Sequence, residues 1–262
     1  MTSARIERLS AVDSTNAEAM RRAVAGECGP LWITTDAQTA GRGRAGRSWS
    51  SDPGNLQATL LVTLSAAPPK AYQLALVAGV AVFDAIDVAM RPDAPQGLRL
   101  KWPNDILVDG VKTGGILIES STLPRKHAEE PGLAAVIGIG LNIASHPATL
   151  DRPATHLTAH GACPDPQALL AHISEAMGIW LAIWDEGRGF ATVRDAWLNR
   201  AHPLGERMSI NTGVERVSGT FLGLDHDGAL IIETEGGTRQ FTFGDVSLEG
   251  PLSANITDVP AR

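Results

Sequence analysis

Cysteine is almost missing from this chain, with Cys28 and Cys163 the only two in 262 residues. They lie far apart and match no metal-ligand spacing, so free thiols in a reducing cytoplasm are expected. Long apolar runs are missing as well. The longest, Leu74 to Phe83, is too short to span a bilayer and is followed by Asp84, so no membrane partner is expected. No apolar stretch follows Met1-Thr2-Ser3-Ala4-Arg5, and no secretory signal is visible. Basic residues are not in excess: the formal net charge is -7, which argues against general nucleic-acid binding. No Cys/His pair and no G-x-S-x-G pattern supplies a side-chain nucleophile. His146, His156, His160 and His172 show no ligand spacing and receive no role. There is no internal repeat. What remains is 44% hydrophobic and 19% charged. Those are the proportions of a globular protein with one large domain, or one of about 200 residues with a small companion.

Against that acidic background one run stands out, Gly41-Arg42-Gly43-Arg44-Ala45-Gly46-Arg47, followed by Ser48 and Trp49. Crowded guanidinium groups repel one another and fit a packed interior badly. They fit a loop that receives an anion, and the glycines allow backbone N–H groups to turn inward around it. The run also spells G-x-G-x-x-G. A dinucleotide fold would need a helix to begin at its end. Instead Ser50-Ser51-Asp52-Pro53-Gly54 is a turn and Leu56 to Thr63 is β-rich, so that assignment fails on context. A solvated basic hairpin tip is the plain alternative.

In chain order, Leu9 to Val12 is predicted as a short strand, with a helix opening at Asp13-Ser14-Thr15-Asn16. Thr15 and Glu18 fit a capping box, and capping alone would account for Ser14, Thr15 and Asn16. Leu31 to Thr35 is a strand, and Gln38 on the approach to the arginine run can offer both a carbonyl and an amide. Ala71 to Met90 carries a helical apolar stripe. After it come Leu98-Arg99-Leu100-Lys101-Trp102, Pro103-Asn104-Asp105 and a hairpin turning at Asp109-Gly110. Lys112 then stands at the head of the returning strand, where it reads equally well as an ordinary edge lysine.

Residues 121–132 are expected to form a mobile polar loop. In the strand Ala135 to Ile143, Val136, Gly138, Gly140 and Asn142 share one face, while Ile137, Ile139, Leu141 and Ile143 share the core face. Two glycines inside a strand imply a close approach, by a flat ligand or by a packed helix or loop. Pro166 to Gly187 and Phe190 to Asn199 are predicted helices whose tryptophans belong to the core. Beyond His202-Pro203-Leu204-Gly205, short segments at Arg207–Asn211, Val217–Leu224, Ala229–Glu233 and Arg239–Phe243 alternate with glycine turns. This predicts a small β-barrel. The division falls between 1–203 and 204–262, with the tail after Leu252 frayed.

Four pieces now stand in order: D-S-T-N, Gln38 before G-R-G-R-A-G-R-S-W, K-W-P-N-D before V-K-T-G-G-I-L, and G-I-G-L-N. As an ordered set covering nearly the whole chain, they resemble the biotin protein ligases. The resemblance implies an α+β fold: a mixed-sheet catalytic core related to class II aminoacyl-tRNA synthetases, and an SH3-like C-terminal barrel. It implies that biotin and Mg-ATP give biotinyl-5′-adenylate and pyrophosphate, and that biotin then passes to a lysine of a carboxyl carrier domain.

On the same resemblance Ser14, Thr15, Asn16 and Gln38 would face the ureido ring. Arg42, Gly43 and Arg44 would close over the biotin tail and α-phosphate. Lys112 would hold the carboxylate and phosphate oxygens. Trp49 would flank the adenine beside Asn104 and Asn142, with Arg47 and Lys101 also on the nucleotide. Asp105 would serve the metal or the ribose-phosphate region, and Gly115 and Gly138 would leave room along the biotin site. Ala45 stands where the family's loop often carries another basic residue. Only 12 residues precede Asp13, too few for the repressor branch's DNA-binding domain, so a ligase that binds no DNA is expected. A homodimer through an exposed sheet edge is left open. The alternatives are a lipoate- or octanoate-type ligase or acyltransferase, and a non-enzymatic binder of biotinyl-adenylate. The polar Ser14/Gln38 pair suits a ureido ring better than a bare aliphatic chain.

Overall fold

A computed structural model describes residues 4–65, 68–122, 132–148, 153–161 and 164–249. The described elements are β1 (Arg5–Leu9), α1 (Thr15–Val24), β2 (Leu31–Thr35), β3 (Leu56–Leu64), α2 (Gln73–Ala89), β4 (Leu98–Lys101), β5 (Asp105–Val108), β6 (Val111–Thr122) and β7 (Leu133–Leu141). Helices α3 (Pro166–Trp184) and α4 (Phe190–Leu198) follow. The last five are β8 (Arg207–Asn211), β9 (Arg216–Leu224), β10 (Leu230–Thr234), β11 (Gly237–Phe241) and β12 (Asp245–Leu248). The first seven strands form one mixed sheet in the order β1-β2-β3-β7-β6-β5-β4, parallel between β1 and β2 and antiparallel elsewhere. The remainder form an antiparallel sheet ordered β11-β10-β9-β8-β12.

Alternation along the central strands sets the layers. Leu56, Ala58, Leu60 and Val62 of β3 and Ile137 and Ile139 of β7 face the main core with α2 and α3. Leu61 and Val136 point the other way, against Ala19 and Ala23 of α1. Residues Lys70–Ala89 are long and apolar enough to cross a membrane, but 72% of their most apolar window is buried inside the molecule. The two sheets share a core in which Leu100 and Trp102 pack with Met208, Phe221, Leu230 and Val246. The indole N–H of Trp102 donates to the Gly228 carbonyl at 3.1 Å, which fixes the C-terminal sheet beside the β4 edge.

Several expectations are corrected. The first strand is Arg5–Leu9 rather than Leu9–Val12, and Val12 keeps a single bridge to Gln38. The charged residues that disguise it sit at the sheet edge in ion pairs, Arg5 with Glu27 and Arg8 with Asp36. No capping box forms. Ser14 is the N-cap of α1 without a side-chain bond, the Thr15 hydroxyl turns to Gln38, and Glu18 pairs with Arg21 and Arg22. Tertiary and helix-face partners outcompeted the local motif.

Residues 121 and 122 belong to β6, not to a loop, while 123–131 lie outside the described residues, as do Cys163 and the tail after Leu252. The predicted strand Arg239–Phe243 runs from Gly237 to Phe241, because the turn at Gly236-Gly237 is tight enough to pair Thr234 with Gly237. Strand β12 was not anticipated. The Asp109-Gly110 hairpin forms with φ of 51° and 77°, the left-handed pair that a two-residue turn of this kind requires.

Candidate active site

The glycine face of β7 is the floor of a cleft of about 1280 Å³ between the two sheets. A side chain at Gly138 would place its Cβ 2.1 Å from Asn16 Oδ1, and one at Gly140 would meet the Trp49 ring at 2.4 Å. Of the two causes left open by the sequence, packed neighbours therefore account for both glycines. Yet those neighbours are themselves walls of the cleft, so close packing and an open site coexist on one strand face.

Every residue named from the sequence lines this cleft: Ser14, Thr15, Asn16, Gln38, Arg42, Gly43, Arg44, Arg47, Trp49, Lys101, Asn104, Asp105, Lys112, Gly115, Gly138 and Asn142. At one end the hydroxyl of Thr59 lies 2.8 Å from both Thr15 Oγ1 and Asn16 Oδ1. Gln38 Oε1 accepts from the Thr15 backbone N–H at 2.9 Å and from its hydroxyl at 3.2 Å, while Gln38 Nε2 donates to Ser51 at 3.0 Å. The Asn16 amide donates to the Leu117 carbonyl and to Glu119 at 2.9 Å. This corner is buried and its hydrogen bonds are mutually satisfied, which holds each group in one orientation.

At the other end the charges gather. Asp105 lies between two ammonium groups, bonded to Lys112 and 2.9 Å from Lys101 Nζ. Burial alone would raise the Asp105 carboxyl, but Lys112 and Lys101 outweigh it and hold the group at about 2. Lys112 passes over Gly115, where an added Cβ would lie 3.2 Å from its Nζ. Asn104 ties the floor to the loop, donating to the Ile116 carbonyl at 2.6 Å and accepting from Arg44 at 2.8 Å. Asn142 donates to the Thr155 carbonyl at 3.1 Å and anchors the end of β7.

The arginine run folds over this end as a short 3-10 turn, Arg44–Gly46. Ala45 and Gly46 have φ of 54° and 74°, and the left-handed region disfavours an alanine by about 1 kcal/mol. Each arginine has a different partner. Arg42 pairs with Glu119 at 3.1 Å. Arg44 reaches the Gly244 carbonyl at 3.2 Å, and Arg47 pairs with Asp245 at 3.0 Å. Burial pushes the Arg44 guanidinium below its usual value, against the pull of Asp245 and Asp105. In all, six cationic side chains against four carboxylates line the cleft of a chain whose net charge is -7. The site is thus a local reversal of the protein's sign.

Other lining residues were missed. Arg207, Glu206, His202 and Asp245 come from the C-terminal part, and no motif spacing joins them to the loop. Gln57 was missed too, although a glutamine inside the apolar run Leu56 to Leu64 is a signal that could have been followed. Three of the histidines assigned nothing, His146, His156 and His160, do converge. The Nδ1 atoms of His146 and His156 lie 2.8 Å apart, and His160 bonds to Thr155. Burial, with His146 and His160 close by, lowers the His156 pKa.

The donor set does not fit a magnesium site built by the protein. Both Asp105 oxygens are engaged by lysines, and among the described residues no group of three or more His, Cys, Asp or Glu gathers.

A buried polar corner joined to a cationic pocket defines a site for a polar small molecule and a phosphate-bearing partner. Residues 11–142 match the Biotin/lipoate A/B protein ligase family, and residues 204–249 match the biotin protein ligase C-terminal domain. The chain is 38% identical to the biotin–[acetyl-CoA-carboxylase] ligase of Paracoccus denitrificans over 249 residues, which is 92% of this chain and all of that protein. The structure is similar to the biotin protein ligase of Aquifex aeolicus in complex with biotin and ATP, with a TM-score of 0.74 and 26% identity over 93% of this chain and 98% of that one. It is also similar to the Leishmania major ligase in complex with biotinyl-5-AMP, with a TM-score of 0.62 and 27% identity over 91% and 99%. This chain belongs to the biotin protein ligase family.

Proposed function

We propose that the cleft carries out ATP-dependent ligation of biotin to protein. Biotin's carboxylate oxygen attacks the α-phosphorus of ATP, the bond to the β-phosphate breaks, and pyrophosphate leaves. The lysine amine of a carboxyl carrier domain then attacks the acyl carbon of biotinyl-5′-AMP, loses its proton, and displaces AMP. The observation that carries this proposal is the meeting, over the β7 glycine face, of a buried hydrogen-bonding corner with Lys112, Lys101 and Arg44.

The charges explain how two anions can react. Attack brings carboxylate to phosphate, and negative charge grows on the phosphoryl oxygens during transfer. Fixed cationic donors aimed there lower the barrier more than they tighten ground-state binding. In this proposal Lys112 holds the carboxylate and α-phosphate, Arg42 and Arg44 cover them, and Asp105 fixes the positions of the Lys112 and Lys101 ammonium groups. Ser14, Thr15, Asn16 and Gln38 bound the ureido end. Trp49, Asn104, Asn142 and Arg47 bound the nucleotide. The acyl phosphate hydrolyses readily in water, so the loop also serves as a cover. We further assign the core to the class II synthetase type and the C-terminal division, described over residues 204–249, to an SH3-like barrel that closes one side of the cleft.

The test is release of pyrophosphate by the purified chain with ATP, magnesium and biotin. Release with lipoate or octanoate but not with biotin would transfer the chain to the lipoate-type reaction.

A further inference from the structure

The side-chain amides lining the cleft differ in one respect. Gln38, Asn16 and Asn104 are engaged at both their oxygen and their nitrogen, and Asn142 at its nitrogen. Gln57 is engaged at neither. It is 2% exposed, lines the cleft, and both Oε1 and Nε2 lack a hydrogen-bond partner among the described residues. A buried primary amide left unpaired at both ends is costly, and native interiors rarely keep one without a reason.

Its position supplies the reason. Gln57 pairs in register with Gly140 on β7, a neighbour without a side chain over which the Trp49 ring packs. Two residues along the same strand face is Thr59, which holds the Thr15–Asn16 corner. A period of two puts Gln57 and Thr59 side by side, roughly 7 Å apart along the strand. A ring seated against that corner therefore extends over the Gln57 amide. What the amide can recognise follows from its two ends: a neighbouring donor and acceptor on one rigid edge.

We infer that Gln57 is a specificity-determining residue that pairs with the cyclic urea of biotin, Oε1 accepting from a ring N–H and Nε2 donating to the urea carbonyl. The inference rests on the reading of the cleft as a biotin site. An adenine edge offers the same donor–acceptor chemistry, and the experiment separates the two sources. The urea is favoured because Gln57 adjoins the Thr59 corner, whereas the cations that would hold phosphate gather around Lys112 and Lys101.

The probe is biotin itself. Equilibrium binding of biotin without ATP is measured by calorimetry on the parent, on Gln57→Met and on Gln57→Glu, followed by KM for biotin and for ATP in pyrophosphate release. Gln57→Met keeps the approximate volume and removes both polar ends. It should weaken biotin binding by about 10- to 100-fold while leaving KM for ATP unchanged. Gln57→Glu keeps an acceptor and loses the donor, so its preference should move from biotin toward 2-iminobiotin, whose carbonyl is replaced by a donor-bearing nitrogen. If Gln57→Met does not fold, that shift in preference decides alone. Biotin affinity within twofold of the parent in Gln57→Met, an unshifted preference in Gln57→Glu, or a rise confined to KM for ATP would each overturn the inference. A parent that binds no biotin would instead overturn the reading of the cleft.

Discussion

The two walls of the cleft are held by opposite means. The sheet-side wall is a buried mesh in which Thr59 is fully inaccessible and Asn16 is 4% exposed. Its bonds run between side chains on α1, β3 and the segment carrying Gln38. The loop-side wall is held by ion pairs at the surface, Arg42 with Glu119 and Arg47 with Asp245, whose arginines are about half exposed. Buried, mutually satisfied hydrogen bonds rigidify, while exposed ion pairs contribute about 1 kcal/mol or less and weaken with salt. One wall is thus held rigidly, the other by contacts that salt and solvent can loosen.

Substitutions can break that contrast, and the largest effect belongs to the group between the walls. Lys112→Ala should lower the rate of pyrophosphate release by about 10²–10³, the usual loss for a donor aimed at a transition-state oxyanion. Its melting temperature should stay near the parent's, because Asp105 retains Lys101 and the Lys112 side chain is 37% exposed. Equal turnover in mutant and parent would return Lys112 to an edge lysine.

Next is Gly138→Ala on the rigid wall. Its Cβ would stand 2.1 Å from Asn16 Oδ1 and 2.9 Å from Cγ, so the mesh must shift. About 1–3 kcal/mol of stability should be lost together with affinity for biotin, read by thermal unfolding and KM. Unchanged values for both would show that this wall is soft. The smallest effect on stability is expected at the loop-side wall. Asp245→Ala removes the Arg47 partner and should change stability by no more than about 1 kcal/mol. Leakage of adenylate into solution, trapped with hydroxylamine, should nevertheless rise a few-fold, and added salt should reproduce the rise in the parent. Leakage indifferent to both would leave the contact between loop and C-terminal sheet without a part in retaining the intermediate.

The same contrast explains which parts were legible in advance. The arginine run, Lys112 and the glycine alternation of β7 each carry their chemistry in local spacing. The hairpin at Asp109-Gly110 was legible for the same reason, since only a few residue types accept its backbone angles. The partner of each group was not legible. Thr15 matched a local capping motif but bonds to Gln38 and Thr59, and Arg47 meets Asp245 across 198 positions. Strand β1 was shifted because its charged residues hide an edge strand whose register only β2 sets. Gln57 is visible in the sequence as a lone amide in an apolar strand, but its role is not, because that depends on neighbours brought by β7 and α1.

By itself the sequence determined the kind of chemistry: clustered cations in an acidic chain, glycines where backbone must stay bare, and four motifs in a recognisable order. Tertiary structure alone decided the pairing. It chose which carboxylate steadies which cation, brought the C-terminal strands against the arginine loop, and left the buried amide of Gln57 without a hydrogen-bond partner among the described residues. The physical reason is that side-chain type and backbone preference are local properties. Hydrogen bonds and ion pairs are settled between segments that meet only when the sheet closes around its core.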